Sequence, residues 1–304
     1  MSKLRIIMYH YVRDPKRSRY PRIKVRSTQE FRNQLDYLAA HFTPVTAQQV
    51  IAACRGEYDL PPNALWLTFD DGYLDHYVTV FPLLHDRGWQ GSFFAPARAV
   101  MEGKLLDVNK IHLLLAAYDN INILVSEIRR DIGAAFEQLW SAHAEADAYD
   151  PPEVVFVKKV LQQVLPQRDR TRIVNNLFAR HVSSDERAIA SEFYMSPDQI
   201  RLMVRSGMFF GSHGYDHSWM NSLTAEEQVR EVRLSLDFLN DVGAAINNWV
   251  MCYPYGAYNQ SLLQTLKRFD CSVGLTTQSA VADVARDTAL ELPRLDTNDF
   301  PTVK

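Results

Sequence analysis

The chain has 304 residues, 47% of them apolar, which is enough for a large buried core and fits either two domains or one α/β barrel. With 33 basic and 36 acidic residues the net charge is -3, which excludes the overall basic field of a nucleic-acid binder and leaves anion recognition to local clusters. Three cysteines, Cys54, Cys252 and Cys271, an odd number without close pairing, indicate neither a disulfide framework nor a cysteine zinc site.

The first predicted strand covers residues 4–12. Its apolar run is broken by Tyr9-His10 and is too short for a signal peptide, and no later segment is long and apolar enough to span a bilayer, so the expectation is a cytoplasmic protein without stable membrane insertion. Ser27-Thr28-Gln29-Glu30 is a capping box followed by Phe31, Leu35 and Leu38 at helical spacing, and residues 46–49 repeat that signature. A strand over 65–69 runs into Asp70-Asp71-Gly72, with a helix at 78–84 and a strand at 91–95 after it. From about 100 to 192 the alternation gives way to helical spacing interrupted at Pro151-Pro152, read as a helical insertion within a single domain over 1–304. Alternation then resumes: a helix at 197–206, a strand at 208–212, a long helix from Thr224 carrying Val229, Val232, Leu236 and Leu239 on one face, and strands at 249–253, 272–275 and 290–295. Strands alternating with helices predict parallel pairing, hence an α/β fold.

Polar residues stand at the ends of three of these strands: His10, the Asp70-Asp71 pair, and His213 with His217. In a barrel of parallel strands such positions converge at one rim. Adjacent carboxylates at the end of a buried strand are costly unless paired or metal-bound. Strand alternation points them in opposite directions, so one can ligate a cation while the other stays free to take a proton. Asp71, His213 and His217 would form a three-ligand site with room for water and substrate. Taken singly these signals are weak, since Asp-Asp-Gly is an ordinary turn and His10 an ordinary core histidine; their joint order along the chain is what points to a site.

Thr68-Phe69-Asp70-Asp71-Gly72, Ser212-His213-Gly214-Tyr215-Asp216-His217 and Tyr253-Pro254-Tyr255-Gly256 resemble, in order and spacing, the motifs of the NodB-like polysaccharide deacetylases of carbohydrate esterase family 4. The resemblance implies a distorted parallel (β/α) barrel and a hydrolase that removes acetyl groups from carbohydrates with the help of one divalent metal ion. It implies Asp70 as general base, Asp71, His213 and His217 as metal ligands, and the backbone of Tyr255 as an oxyanion donor. Imidazole and carboxylate donors suit Zn²⁺ and are compatible with Fe²⁺, Co²⁺, Ni²⁺ or Mn²⁺. Two departures stand out. Cys252 occupies the place where many members carry an arginine that orients the base, and Arg294 either supplies that guanidinium or forms a surface pair with Asp296. The late Leu-x-His motif of the family is missing from the C-terminus, and Met8-Tyr9-His10 takes its place in the manner of circularly permuted members, which makes His10 the candidate acid.

Downstream of His10 lies a basic run that includes Arg19, Arg22 and Lys24, either a solvated loop or a grip on a substrate phosphate. Trp219, beside the second histidine, is a candidate for stacking on a sugar ring. The expected substrate is an acetylated amino sugar, as a nucleotide- or lipid-linked precursor of a surface polysaccharide. A non-sugar amide and a non-catalytic carbohydrate-binding role on the same fold are the alternatives, and the oligomeric state is left open.

Overall fold

The computed structural model describes residues 2–147 and 149–302. They fall into two compact units. The first comprises residues 2–14, 25–103 and 191–302, and the second comprises 15–24, 104–147 and 149–190.

The first unit is built on one nine-stranded sheet, β1 (Lys3–Tyr9), β2 (Thr43–Pro44), β3 (Ala64–Asp70), β4 (Ser92–Ala95), β5 (Phe209–Ser212), β6 (Val250–Cys252), β7 (Val273–Leu275), β8 (Ala282–Asp283) and β9 (Leu295–Asp296). The main path runs β7-β6-β5-β4-β3-β1-β8, with every pair parallel except the short antiparallel β1–β8 edge. The strand ends that carry the motif residues therefore all point the same way. The path curls back on itself through one segment: Leu292 bridges to Leu275 of β7, and β9 pairs with Ile7 and Met8 of β1. This is the curled (β/α) barrel with flanking helices expected from the sequence.

Side-chain alternation sorts the strands onto two faces. Ile6, Trp66, Phe94, Val250, Cys252 and Leu275 share one core, while Leu65, Leu67, Phe69 and Phe93 share another with Phe31, Leu35 and Leu38 of the helix Thr28–His41. Asp70 follows Trp66 and Thr68 at two-residue intervals, so it belongs to the first face. Space on that face is tight: a Cβ on Gly211 would come within 2.5 Å of the Phe94 ring.

The predicted capping boxes at Ser27 and Thr46 are both formed, and two more, at Ser196 and Thr224, start the helices Pro197–Arg205 and Ala225–Asp241. Two predicted elements change. The helix at 78–84 begins earlier, as a π turn over His76–Val80 that passes into Phe81–His85. The strand at 290–295 shrinks to β9 behind a 3-10 turn at Ala289–Glu291, because Pro293 has no N–H to give a ladder.

The second unit is helical, with Asp107–Ala117, Ile121–Ile132, Pro152–Lys159 and Gln167–His181 packed around Ile111, Leu124, Ile128, Phe156, Ile173 and Leu177. Residues 15–24 belong to it: Arg22 donates to the carbonyl of Ala116 and pairs with Asp119, and Lys24 binds Asp150 and the carbonyl of Tyr149. Among the described residues no helix is long and apolar enough to cross a membrane.

Candidate active site

Asp70 meets Arg294 in a two-point pair, Nη1 to Oδ1 at 2.9 Å and Nη2 to Oδ2 at 2.8 Å. The guanidinium is fully buried and also donates to the carbonyl of Thr276 and to Thr68 Oγ1. Burial would push the Asp70 carboxyl up, but Arg294 outweighs it and holds the pKa at about 2, so the group is a carboxylate at neutral pH. Of the two partners open to Arg294 from the sequence, the fold supplies Asp70. Asp296 instead caps the turn Thr297–Asp299.

Asp71 leaves the strand with φ +73° and Gly72 follows at +66°, a tight left-handed turn in which any Cβ on Gly72 would lie 2.6 Å from Ala95 Cβ. Tyr73 donates its hydroxyl to Asp71 Oδ2 at 2.6 Å. Oδ1 is buried and receives no hydrogen bond, yet it lies 3.4 Å from His213 Nε2 and 3.3 Å from His217 Nε2. His213 Nδ1 sits 2.7 Å from the Cys252 carbonyl and donates to it, which leaves the Nε2 lone pair aimed at the same point. Burial opposes ionisation of Asp71, but the two imidazoles outweigh it and hold its carboxyl well below the usual range.

The three ligand atoms lie within 4.8 Å of one another. A buried carboxylate oxygen without a donor, faced by two imidazole nitrogens, is costly unless a cation completes it, and one carboxylate with two imidazoles is a donor set for a divalent metal. The residues therefore fit such an ion.

The loop from His213 to His217 is fixed by groups the sequence reading did not single out. Glu231 Oε2 accepts the N–H groups of Tyr215 at 2.9 Å and Asp216 at 3.0 Å. Arg98 pairs with Asp216, and Glu102 accepts the Tyr215 hydroxyl. A signal for Glu231 was present: Gln228, Glu231 and Ser235 make a polar stripe at helical spacing, and all three are buried.

Tyr255 adopts φ +58°, with its ring 4.6 Å from that of His217, and Trp219 stacks flat on it at 4.4 Å. His10 lies just past β1, half-buried. It is close enough to add a smaller electrostatic influence on Asp70 and Asp71, after burial and their direct partners. The fold thus gathers His10, Asp70, Asp71, His213, His217, Trp219, Tyr255 and Arg294. Arg22 and Lys24 find their partners within the helical unit, and Arg19 lies exposed on the same segment.

A family model described as polysaccharide deacetylase matches residues 158–274. The chain is 41% identical over 63 residues to the poly-beta-1,6-N-acetyl-D-glucosamine N-deacetylase of Escherichia coli (strain K12), a stretch covering 20% of this chain and 9% of that protein. It is 25% identical over 96 residues to a Bacillus subtilis (strain 168) protein that carries the polysaccharide deacetylase name, covering 32% of this chain and 34% of that protein. The matches therefore span about a third or less of these curated relatives. Among solved structures, the deacetylase PplD of Streptococcus pyogenes superposes with a TM-score of 0.61 at 17% identity, covering 97% of this chain and 93% of that one. IcaB from Ammonifex degensii superposes with a TM-score of 0.60 at 21% identity, covering 98% and 92%.

Proposed function

We propose that the chain, which matches a polysaccharide deacetylase family model over residues 158–274, is a metal-dependent hydrolase that removes the acetyl group of an acetylated amino sugar. The observation that carries this reading is the buried, donor-free Oδ1 of Asp71, faced by two imidazole nitrogens one residue away from an ionised, arginine-held carboxylate.

In this reading Asp71, His213 and His217 hold one divalent ion, Zn²⁺ by choice of donors. When bound, the ion supplies Lewis-acid polarisation of an acetyl carbonyl and acidifies a water. Asp70 takes the proton of the attacking water, and Arg294 keeps it ionised and oriented for that task. The backbone N–H of Tyr255 donates to the oxyanion that develops on the acetyl carbonyl oxygen. His10 returns a proton to the departing nitrogen. The paired Trp219 and Tyr255 rings form a flat wall suited to a pyranose face. The relative named for poly-beta-1,6-N-acetyl-D-glucosamine supports an N-acetyl rather than an O-acetyl substrate. In the basic segment Arg22 and Lys24 pair within the helical unit.

Acetate release tests the proposal on three substrates: an N-acetylglucosamine oligomer, a nucleotide-linked N-acetylhexosamine and a simple acetamide. The expected result is release from a sugar, lost on chelation and restored by Zn²⁺. Turnover of the acetamide alone would favour a non-sugar amidohydrolase, and sugar binding without product would favour a binding protein. The split between oligomer and nucleotide sugar decides between polymer and precursor.

A further inference from the structure

His76 is a buried titratable group with no part in the scheme above. It is surrounded by aromatic rings, with those of Phe69 and Tyr73 both at 5.6 Å and that of Phe93 at 5.7 Å. Its Nδ1 is buried without a partner, and its Nε2 donates to the backbone carbonyl of His10 at 2.9 Å. A phenylalanine would fill the same space without stranding a nitrogen, so the one thing the imidazole adds is that bond to His10.

The neighbouring residues act on the same stretch of chain. Asp75 accepts from Arg13 Nε at 2.6 Å and from the N–H of Val12. Tyr73 stacks on Tyr11 with centroids 4.1 Å apart. The four residues after β1 are thus gripped one by one, His10 by His76, Tyr11 by Tyr73, and Val12 and Arg13 by Asp75. Everything that grips them lies within four residues of Gly72, at the end of the turn that carries Asp70 and Asp71. The grip includes the first residue of a π turn, a local geometry that recurs at functional sites.

We infer that Asp75 and His76 are positioning residues that set His10 at a fixed distance from Asp70 and Asp71, so that acid and base share one rigid frame. The inference rests on the role of His10 in the proposed deacetylation. It assigns no bond-making to Asp75 or His76. Their effect runs through the backbone of the His10–Arg13 stretch, and small misplacements of a catalytic group have large kinetic effects.

The test compares His76→Phe, which keeps the ring volume and loses the donor, with His76→Gln, which restores an N–H at similar reach. On an N-acetylglucosamine oligomer, His76→Phe should lower kcat by about tenfold or more with KM within about twofold, and His76→Gln should recover most of the loss. On para-nitrophenyl acetate, whose leaving group needs no protonation, His76→Phe should retain near-wild-type turnover. A general loss of structure would depress both substrates together. Equal losses on the two substrates, an unchanged kcat, or metal content falling in step with activity would overturn the inference. If the wild type itself releases no acetate, the functional proposal fails, and the positioning is read separately from the His10 ring resonances. These should broaden in His76→Phe and persist in His76→Gln; identical resonances in all three proteins would overturn it.

Discussion

Glu127 and Asp71 are both buried carboxylates with histidine neighbours, and they are built to opposite ends. In the helical unit Glu127 accepts from the Tyr118 hydroxyl, from Arg180 and from His181, so both of its oxygens are satisfied. At the strand ends Asp71 accepts from Tyr73 through Oδ2, while its Oδ1 is left facing two imidazole nitrogens without a hydrogen bond. The residue types are nearly the same. What separates a structural cluster from a metal-binding one is whether acceptor atoms converge on a point that no donor fills.

The sharpest way to break this comparison is at Asp70, whose proposed role as general base has no counterpart beside Glu127. Asp70→Asn should lower kcat by roughly a thousandfold, within the range for removing a general base, while the metal stays bound. Acetate release and metal content measured on the same sample check both halves. Loss of metal together with activity would mean that Asp70 is a ligand.

Arg294→Met is next in size. It strands a buried carboxylate, and breaking a buried pair costs about 3–5 kcal/mol. Denaturant unfolding should show that loss, and turnover should fall with it. A variant as stable as the wild type would mean that Asp70 is neutral in the folded protein.

The pH dependence of stability offers a third comparison. Burial pushes His76 down to about 4, below the 6.5 of an exposed imidazole. The folded state resists protonation that the unfolded chain accepts, so stability is unaffected above pH 6.5, falls as pH drops from 6.5 towards 4, and levels below that. The shift corresponds to about 3 kcal/mol. His76→Phe should flatten this limb, and an unchanged slope would mean that His76 already titrates normally.

How much of this was legible in the sequence follows from the range over which each interaction acts. Asp70, Asp71 and His213 were readable because each lies at or next to a strand end, with His217 four residues further on in the same motif, and the capping boxes at Ser27 and Thr46 were readable because their signals are equally local. The partner of Arg294 was narrowed only to Asp70 or Asp296, because Asp70 is 224 residues away and Pro293 breaks the strand pattern leading to it. The basic run from Arg13 to Arg26 reads as a charge cluster, but Asp119 and Asp150, which take up Arg22 and Lys24, appear only once helices far along the chain are packed. The bond from His76 to His10 was hidden for another reason: a main-chain carbonyl leaves no trace in residue type.

Tyr73→Phe probes the support of the metal ligand rather than the ligand itself. It removes the hydroxyl that fixes Asp71 Oδ2, and loss of such a support typically weakens metal affinity by about tenfold to a hundredfold. Competition against a chelator measures it, and an unchanged affinity would show that the Asp71 carboxylate is held well enough by its backbone turn.

Glu127→Gln closes the comparison from the other side. It keeps the shape of the helical cluster and removes one charge, so the Arg180 and His181 contacts weaken without leaving a cavity. Stability should fall by about 1–2 kcal/mol, since hydrogen bonds to a charged group are worth more than neutral ones. Turnover and metal content should stay within about twofold of wild type, the scatter expected of a group outside the chemistry. A larger loss of activity at unchanged stability would mean that the satisfied cluster communicates with the reacting groups, and that saturation of hydrogen bonds is not by itself the mark of a purely structural carboxylate.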